Sequence, residues 1–191
     1  MNQNEIKDIL LDSKRVLENF LNKEETTEVI QRAGEVIVTA LNKGNKIIAC
    51  GNGGSLCDAM HFTEELTGNF KDEREPIPAF ALSDSAHITC TANDFGFDKV
   101  FSRSVDALGE PGDILLAIST SGSSRNIVNA VNTAKKKNMK IVSLTGKNGG
   151  DLSSISDVEI RAPFSDYSDR TQEIHIKVLH ILVEYIEANF N

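Results

Sequence analysis

Asp58, His61 and Glu65 are spaced three and four apart. On a helix that spacing puts them on one face. A helix that only seeks a core has no need of a histidine stacked on a carboxylate, whereas a metal site or an acid–base pair does. Immediately before them stands Gly51-Asn52-Gly53-Gly54-Ser55, preceded by the apolar run Lys46–Cys50. Strand, glycine turn, helix is an order that builds an anion site, because glycines let backbone N–H groups approach a ligand and a helix N-terminus favours negative charge. A second loop, Ser119-Thr120-Ser121-Gly122-Ser123-Ser124, follows the unbroken apolar run Asp113–Ile118 and precedes a helical pattern from Arg125 to Lys137. Its hydroxyls and backbone donors suit a phosphate. It is no Walker loop, since no GK[ST] is present, and Gly51–Ser55 is no GxGxxG.

Near the C-terminus, Gln172 and His180 share a helical face, and His175 lies three residues from Gln172, so either histidine can point inward. His180 stands among Val178, Leu179, Ile181, Leu182 and Val183. A buried polar group there needs a partner, since an unpaired one costs about 1–3 kcal/mol. Hydrogen bonding, metal ligation and proton transfer each supply one. HxxxE is not HExxH, and glutamine is an uncommon ligand. Cys50 and Cys57 read as small core residues, and His87 as structural or at a rim.

The elements that position these groups follow from periodicity. Apolar stripes give helices over residues 2–22 and 26–42; Gly44 suits the end of the second. Strands are expected at 46–50, 77–82, 113–118, 139–144 and 158–162, and helices at 56–67, 83–90, 98–108, 125–137 and 169–189, with a turn at 91–96. Five strands alternating with helices predict an α/β fold: a five-stranded parallel sheet, flavodoxin-like, with helices on both faces. One domain is expected over 1–191, a helical pair (1–43) leading into an α/β core (44–191) with a long C-terminal helix. In such sheets ligands bind at the carboxyl ends of the strands, where both loops fall. The helical pair is expected to bury part of its stripe against another subunit, the second helix having its own sheet as an alternative.

Composition narrows the classes. With 40% hydrophobic and 25% charged residues, the chain is ordinary for a globular protein. A net charge of −8 argues against nucleic-acid binding by phosphate neutralisation. Three cysteines without a CxxC pair suit a reducing cytoplasm, the polar N-terminus is no signal peptide, and no apolar run approaches the ~20 residues of a membrane span.

Five stretches in order, CGNGGSLCDAMHFTEELTG, ANDFGFDKVFSR, GDILLAISTSGSSRNIV, SLTGKNGG and DRTQEIHIKVLHIL, resemble the phosphoheptose isomerases of the sugar isomerase (SIS) domain family over essentially the whole chain. The resemblance implies a cytosolic homotetramer with sites between subunits. It implies conversion of sedoheptulose 7-phosphate to D-glycero-D-manno-heptose 7-phosphate, the first step towards activated heptoses for lipopolysaccharide or other surface glycans. It places substrate contacts at Asn52, Gly53, Gly54, Ser55, Asn93, Asp94, Ser119, Thr120, Ser121 and Ser124, with Asp169 facing the sugar. One zinc per subunit falls on His61, Glu65, Gln172 and His180, and Glu65 and Gln172 also border the substrate. For an enediol mechanism Glu65 is the base at carbon and His180 its partner. Family members often carry histidine where this chain has Leu56 and arginine where it has Asn69. Arg74 or Lys71 are the cations expected to replace that arginine. The alternative is a non-catalytic family member, a phosphosugar sensor or a protein-binding regulator of replication initiation; the presence of both Glu65 and His180 favours the enzyme.

Overall fold

The computed structural model describes residues 1–71 and 73–190. Five parallel strands form one sheet: β1 (Ile47–Gly51), β2 (Ala79–Ala81), β3 (Ile114–Ser119), β4 (Lys140–Thr145) and β5 (Val158–Arg161). Their order is β2-β1-β3-β4-β5. The chain therefore moves outward from β1 to β2 and then returns to place β3 on β1's other side. At such a reversal the loops leaving neighbouring strands run to opposite faces of the sheet, which is where open α/β sheets bind ligands. Gly51 and Ile118 are register partners, so both loops start from the same level of the sheet.

Strand periodicity divides the core in two. Ile47, Ala49, Leu116, Ile118, Val142 and Leu144 point to one face. There they pack under α2 (Thr26–Leu41), α3 (Gly54–Thr67) and α8 (Ser168–Asn189). Ile48, Cys50, Leu115, Ala117 and Ile141 point to the other, against α5 (Val100–Leu108), α6 (Arg125–Lys136) and α7 (Leu152–Ile155). This alternation is the two-residue period of a sheet covered on both sides.

The two N-terminal helices meet different fates. α1 (Gln3–Leu21) opens with a capping box, in which Asn2 Oδ1 accepts from the Asn4 and Glu5 N–H groups at 2.9 and 3.1 Å. It buries only Val16 and Phe20, while Ile6, Ile9, Leu10 and Leu11 stay 45–66% exposed. α2 instead buries Ile30, Ala33, Ile37 and Leu41 within its own chain, against α8 and β5.

Three expectations are corrected, and one element is added. The segment 91–96 is not a turn: α4 (Ser85–Phe95) runs through it, with Asp84 accepting from the His87 N–H as N-cap, and ends only at Gly96, whose φ is +88°. The helix expected from 98 is a 3-10 turn (Phe97–Lys99) followed by α5. β2 is shorter than the apolar run 77–82, because Pro76 and Pro78 carry no N–H to donate and confine it to the edge. The short helix α7 lacks any clear periodic signal over four residues and was not expected.

Candidate active site

The glycine turn after β1 begins with close approach at Gly51, where a Cβ would run into the Ser55 carbonyl. Gly53 takes a φ of +54° as the N-cap of α3, a conformation open to glycine. Ser55 follows in the first helical turn and is buried. Asn52 turns away from the helix: its amide and that of Asn126 exchange two hydrogen bonds, at 2.9 and 2.8 Å. This pair ties the turn after β1 to the start of α6. Asn126 had no signal in the sequence, since a single asparagine near a helix start reads as a cap.

The loop after β3 is knit by its own hydroxyls. Ser119 Oγ donates to Ser124 Oγ at 3.2 Å and lies 3.4 Å from Ser121 Oγ, which accepts from the Ser123 N–H at 3.2 Å. Gly122 has a φ of +68°, and any Cβ there would run into the Gly149 carbonyl of the loop after β4. The stretch SLTGKNGG therefore buttresses the serine loop. Ser124 is the N-cap of α6 but makes no side-chain capping bond. The helix start thus keeps backbone donors for an anion.

Beside these loops, α3 and α8 bring distant residues together. His61 Nε2 lies 2.9 Å from Glu65 Oε1, His180 Nε2 lies 3.6 Å from the same oxygen, and the two imidazole nitrogens are 3.5 Å apart. Both histidine side chains are about two-fifths exposed (44% and 39%), whereas that of Glu65 is 9% exposed. The carboxylate is thus the floor of a cluster open on one side. Phe70 stacks on the His180 ring, with centroids 5.8 Å apart. Gln172, two turns before His180 on α8, donates through Nε2 to Asp58 Oδ1 at 2.6 Å. Asp58 is buried, and burial pushes its carboxyl pKa up, against the opposing influence of Gln172 and His61.

The ambiguity between the two α8 histidines is resolved. His180 faces the cluster; His175 is fully buried on another side of the helix, with its Nε2 2.8 Å from the Thr145 carbonyl at the end of β4. Burial pulls its pKa down to about 4, so it is neutral, and Nε2–H donates.

Other expected site residues lie outside this knot. Asn93 and Asp94 are exposed in the last turn of α4, where Asn93 Nδ2 donates to Asp94 Oδ1 at 2.7 Å, and neither bonds to another site residue. Asp169 is exposed in the first turn of α8 and accepts from the Arg170 N–H at 2.8 Å. Thr120 is half-buried in the serine loop. Neither cation expected to replace the arginine at position 69 is free: Lys71 Nζ pairs with Glu184 at 2.6 Å, and Arg74 pairs with Glu187 at 2.8 Å. Cys50 is buried, its thiol pushed up to about 12, but Cys57 is exposed on α3 and is no core residue. His87 is structural, its Nε2 lying 3.0 Å from the Val100 carbonyl and 2.8 Å from Ser104 Oγ.

The donor set fits a divalent cation. Ligand atoms of His61, Glu65 and His180 all lie within 4.8 Å of one another. A tetrahedral site with metal–ligand bonds of about 2.0–2.2 Å has edges of about 3.4 Å, close to the three separations found. Glu65 Oε2 and Asp58 Oδ2 are buried without a hydrogen-bond partner among the described residues. Two imidazole nitrogens facing one another across a carboxylate call for a proton or a cation between them. The hydrogen bond from Gln172 Nε2 commits that amide nitrogen to Asp58 and does not engage the amide oxygen.

Comparison with known proteins agrees with this geometry. The SIS domain family model matches residues 11–146. The chain is 51% identical to the phosphoheptose isomerase of Haemophilus ducreyi over 183 residues, 96% of this chain and 94% of that one. Among solved structures it is similar to a phosphoheptose isomerase from Francisella tularensis (TM-score 0.92, 38% identity, 98% of this chain and 100% of that one). It is also similar to the phosphoheptose isomerase of Neisseria gonorrhoeae (TM-score 0.89, 37% identity, 97% and 98%). A phosphate-type loop at one strand end, a glycine turn at the next and a carboxylate–imidazole cluster beside both are thus set in a chain that belongs to the SIS domain family and, within it, to the phosphoheptose isomerases.

Proposed function

We propose that this chain interconverts sedoheptulose 7-phosphate and D-glycero-D-manno-heptose 7-phosphate, as a cytoplasmic homotetramer that feeds activated-heptose synthesis for lipopolysaccharide or other surface glycans. The observation that carries the reading is the convergence of Glu65 and His180, residues 115 positions apart in sequence, on α3 and α8, where α3 begins at the glycine turn and a Cβ at Gly54 would lie 3.8 Å from Gln172 Cγ of α8. In this reading the phosphate is held by Ser119, Thr120, Ser121 and Ser124 with the N-terminus of α6, and the sugar lies over Asn52–Ser55 towards the cluster. Asn93, Asp94 and Asp169 complete the sugar contacts. The half-exposed apolar stripe of α1 supports burial against another subunit, and so a site shared between subunits.

Isomerisation moves a proton between C1 and C2 through an enediol. Glu65 takes the proton from carbon, and His180 shuttles protons at the sugar oxygens. Zinc would be held by His61, Glu65, His180 and the Gln172 amide oxygen, and would polarise the C1–C2 oxygens and offset enediolate charge. Glu65 is asked both to hold a cation and to accept a proton. Its oxygens are not equivalent, since Oε1 is turned to both imidazoles while Oε2 has no partner. The non-catalytic alternative is disfavoured because a sensor has no use for that convergence.

The test is conversion of sedoheptulose 7-phosphate followed by NMR, with protein as purified, chelated and zinc-restored. Turnover lost on chelation and regained with zinc supports both reaction and metal. Turnover indifferent to chelation keeps the isomerase and removes the metal from the chemistry. No turnover in any state overturns the reading.

A further inference from the structure

We infer that Arg74 is a positioning residue for the isomerase site: its guanidinium clamps the end of α3 to α8 and thereby fixes the approach of Glu65 to His180. Arg74 stands nine residues after Glu65, in the loop leaving α3, and is 17% exposed. Its donors go to two helices. Nη2 donates to the backbone carbonyl of Glu65 at 2.6 Å and Nη1 to that of Leu66 at 2.8 Å. Nε donates to Glu187 Oε1 on α8 at 2.8 Å.

The last carbonyls of a helix have no partner within it. α3 ends at Thr67, and an arginine fork adds charge-assisted bonds to the carbonyls of Glu65 and Leu66, the second of which also accepts from the Ile77 N–H at 2.9 Å. The first of these belongs to the residue that forms the floor of the cluster. On α8, Glu187 lies two turns beyond His180. Between them Glu184 pairs with Lys71 at 2.6 Å, and Phe70 stacks on His180 itself. Residues 180, 184 and 187 form one stripe of α8, so the loop is fastened along the same face that presents the imidazole. The exposed Lys71 pair is weak, as surface ion pairs are. Arg74 is the member that holds both helices at once with rigid, planar geometry, which a lysine does not reproduce.

The inference rests on the isomerase reading, and zinc titration separates the two. Glu187→Gln keeps the arginine on α3 but weakens its hold on α8. Arg74→Lys keeps a charge for Glu187 but cannot serve both carbonyls together. Each variant and the wild type are assayed for zinc affinity against a chromophoric chelator, for kcat and KM, and for melting temperature. Both variants are expected to lose roughly tenfold in zinc affinity and in kcat, the lower end of what loss of an outer-shell support costs, with KM within about twofold. The charge-reversed pair Arg74→Glu with Glu187→Arg, which restores the ionic link but not the carbonyl fork, is expected to stay as impaired as Arg74→Lys. Variants that melt lower yet bind zinc and turn over like wild type overturn the clamp and leave Arg74 a stability residue only. A wild type that neither binds zinc nor turns over overturns the functional reading, and the clamp with it.

Discussion

The Ser119–Ser124 loop and the α3–α8 helix pair are assembled by opposite means. The loop is local: its serines bond to one another across two to five residues, and the backbone donors of α6 lie directly after it. The helix pair is long-range: His61 and His180 meet across 119 positions, and Gln172 reaches Asp58 across 114. In the proposed reaction the loop would hold the phosphate, a group that does not change. The pair holds groups with unspent valence, among them the partnerless Glu65 Oε2 and Asp58 Oδ2. In the proposed reading, binding falls to the locally bonded loop. Chemistry falls to the place where tertiary packing holds polar groups short of their natural partners, at a cost of about 1–3 kcal/mol for each such group.

This division is open to attack. Glu65→Gln should fold normally by circular dichroism and lower kcat roughly 10²- to 10⁴-fold, the usual contribution of a positioned acid or base. Substantial residual turnover would show that the helix pair is not where the proton moves.

The next largest effect concerns the joint between the regions. His175 docks α8 on the end of β4, neutral and fully buried, with a pKa lowered from 6.5 to about 4. In the unfolded chain it takes up its proton as pH falls through about 6.5, while the folded chain resists until about 4. Its contribution is therefore present above pH 6.5, is lost progressively as pH falls from 6.5 to 4, and is constant below. The full loss is about 3 kcal/mol at 1.36 kcal/mol per pH unit. Urea melts from pH 7 to 4 read it directly, and His175→Gln should flatten that part of the profile.

The smallest expected effect tests the loop. Ser119→Ala should raise KM by roughly ten- to a hundredfold, as loss of a hydrogen bond to a charged group worth about 1.5–3 kcal/mol does, with kcat within about twofold. If this variant and Glu65→Gln act on the same kinetic parameter, binding and chemistry are not divided between the two regions as drawn.

Much of the molecule is legible in sequence because it is periodic or local. The strand at the apolar run Lys46–Cys50, the glycine turn after it and the shared face of Asp58, His61 and Glu65 depend on nearest neighbours along the chain. Where local signals conflict, packing decides: Asn93, Asp94 and Gly96 suggest a turn, yet packing on α5 carries α4 through to Phe95. Other features belong to tertiary structure alone. The 3.6-residue period places Gln172, His175 and His180 around α8, but which of them faces α3 depends on what the sheet and α2 bury beneath the helix. The bond of Asn52 to Asn126 and the commitment of Arg74 to Glu187 join residues 74 and 113 positions apart. Nothing in the residue types selects those partners over others. The sequence alone settles which groups are available for chemistry, because type and period are properties of a single segment. Which of them meet is settled by packing, because distance between segments is a property of the whole chain.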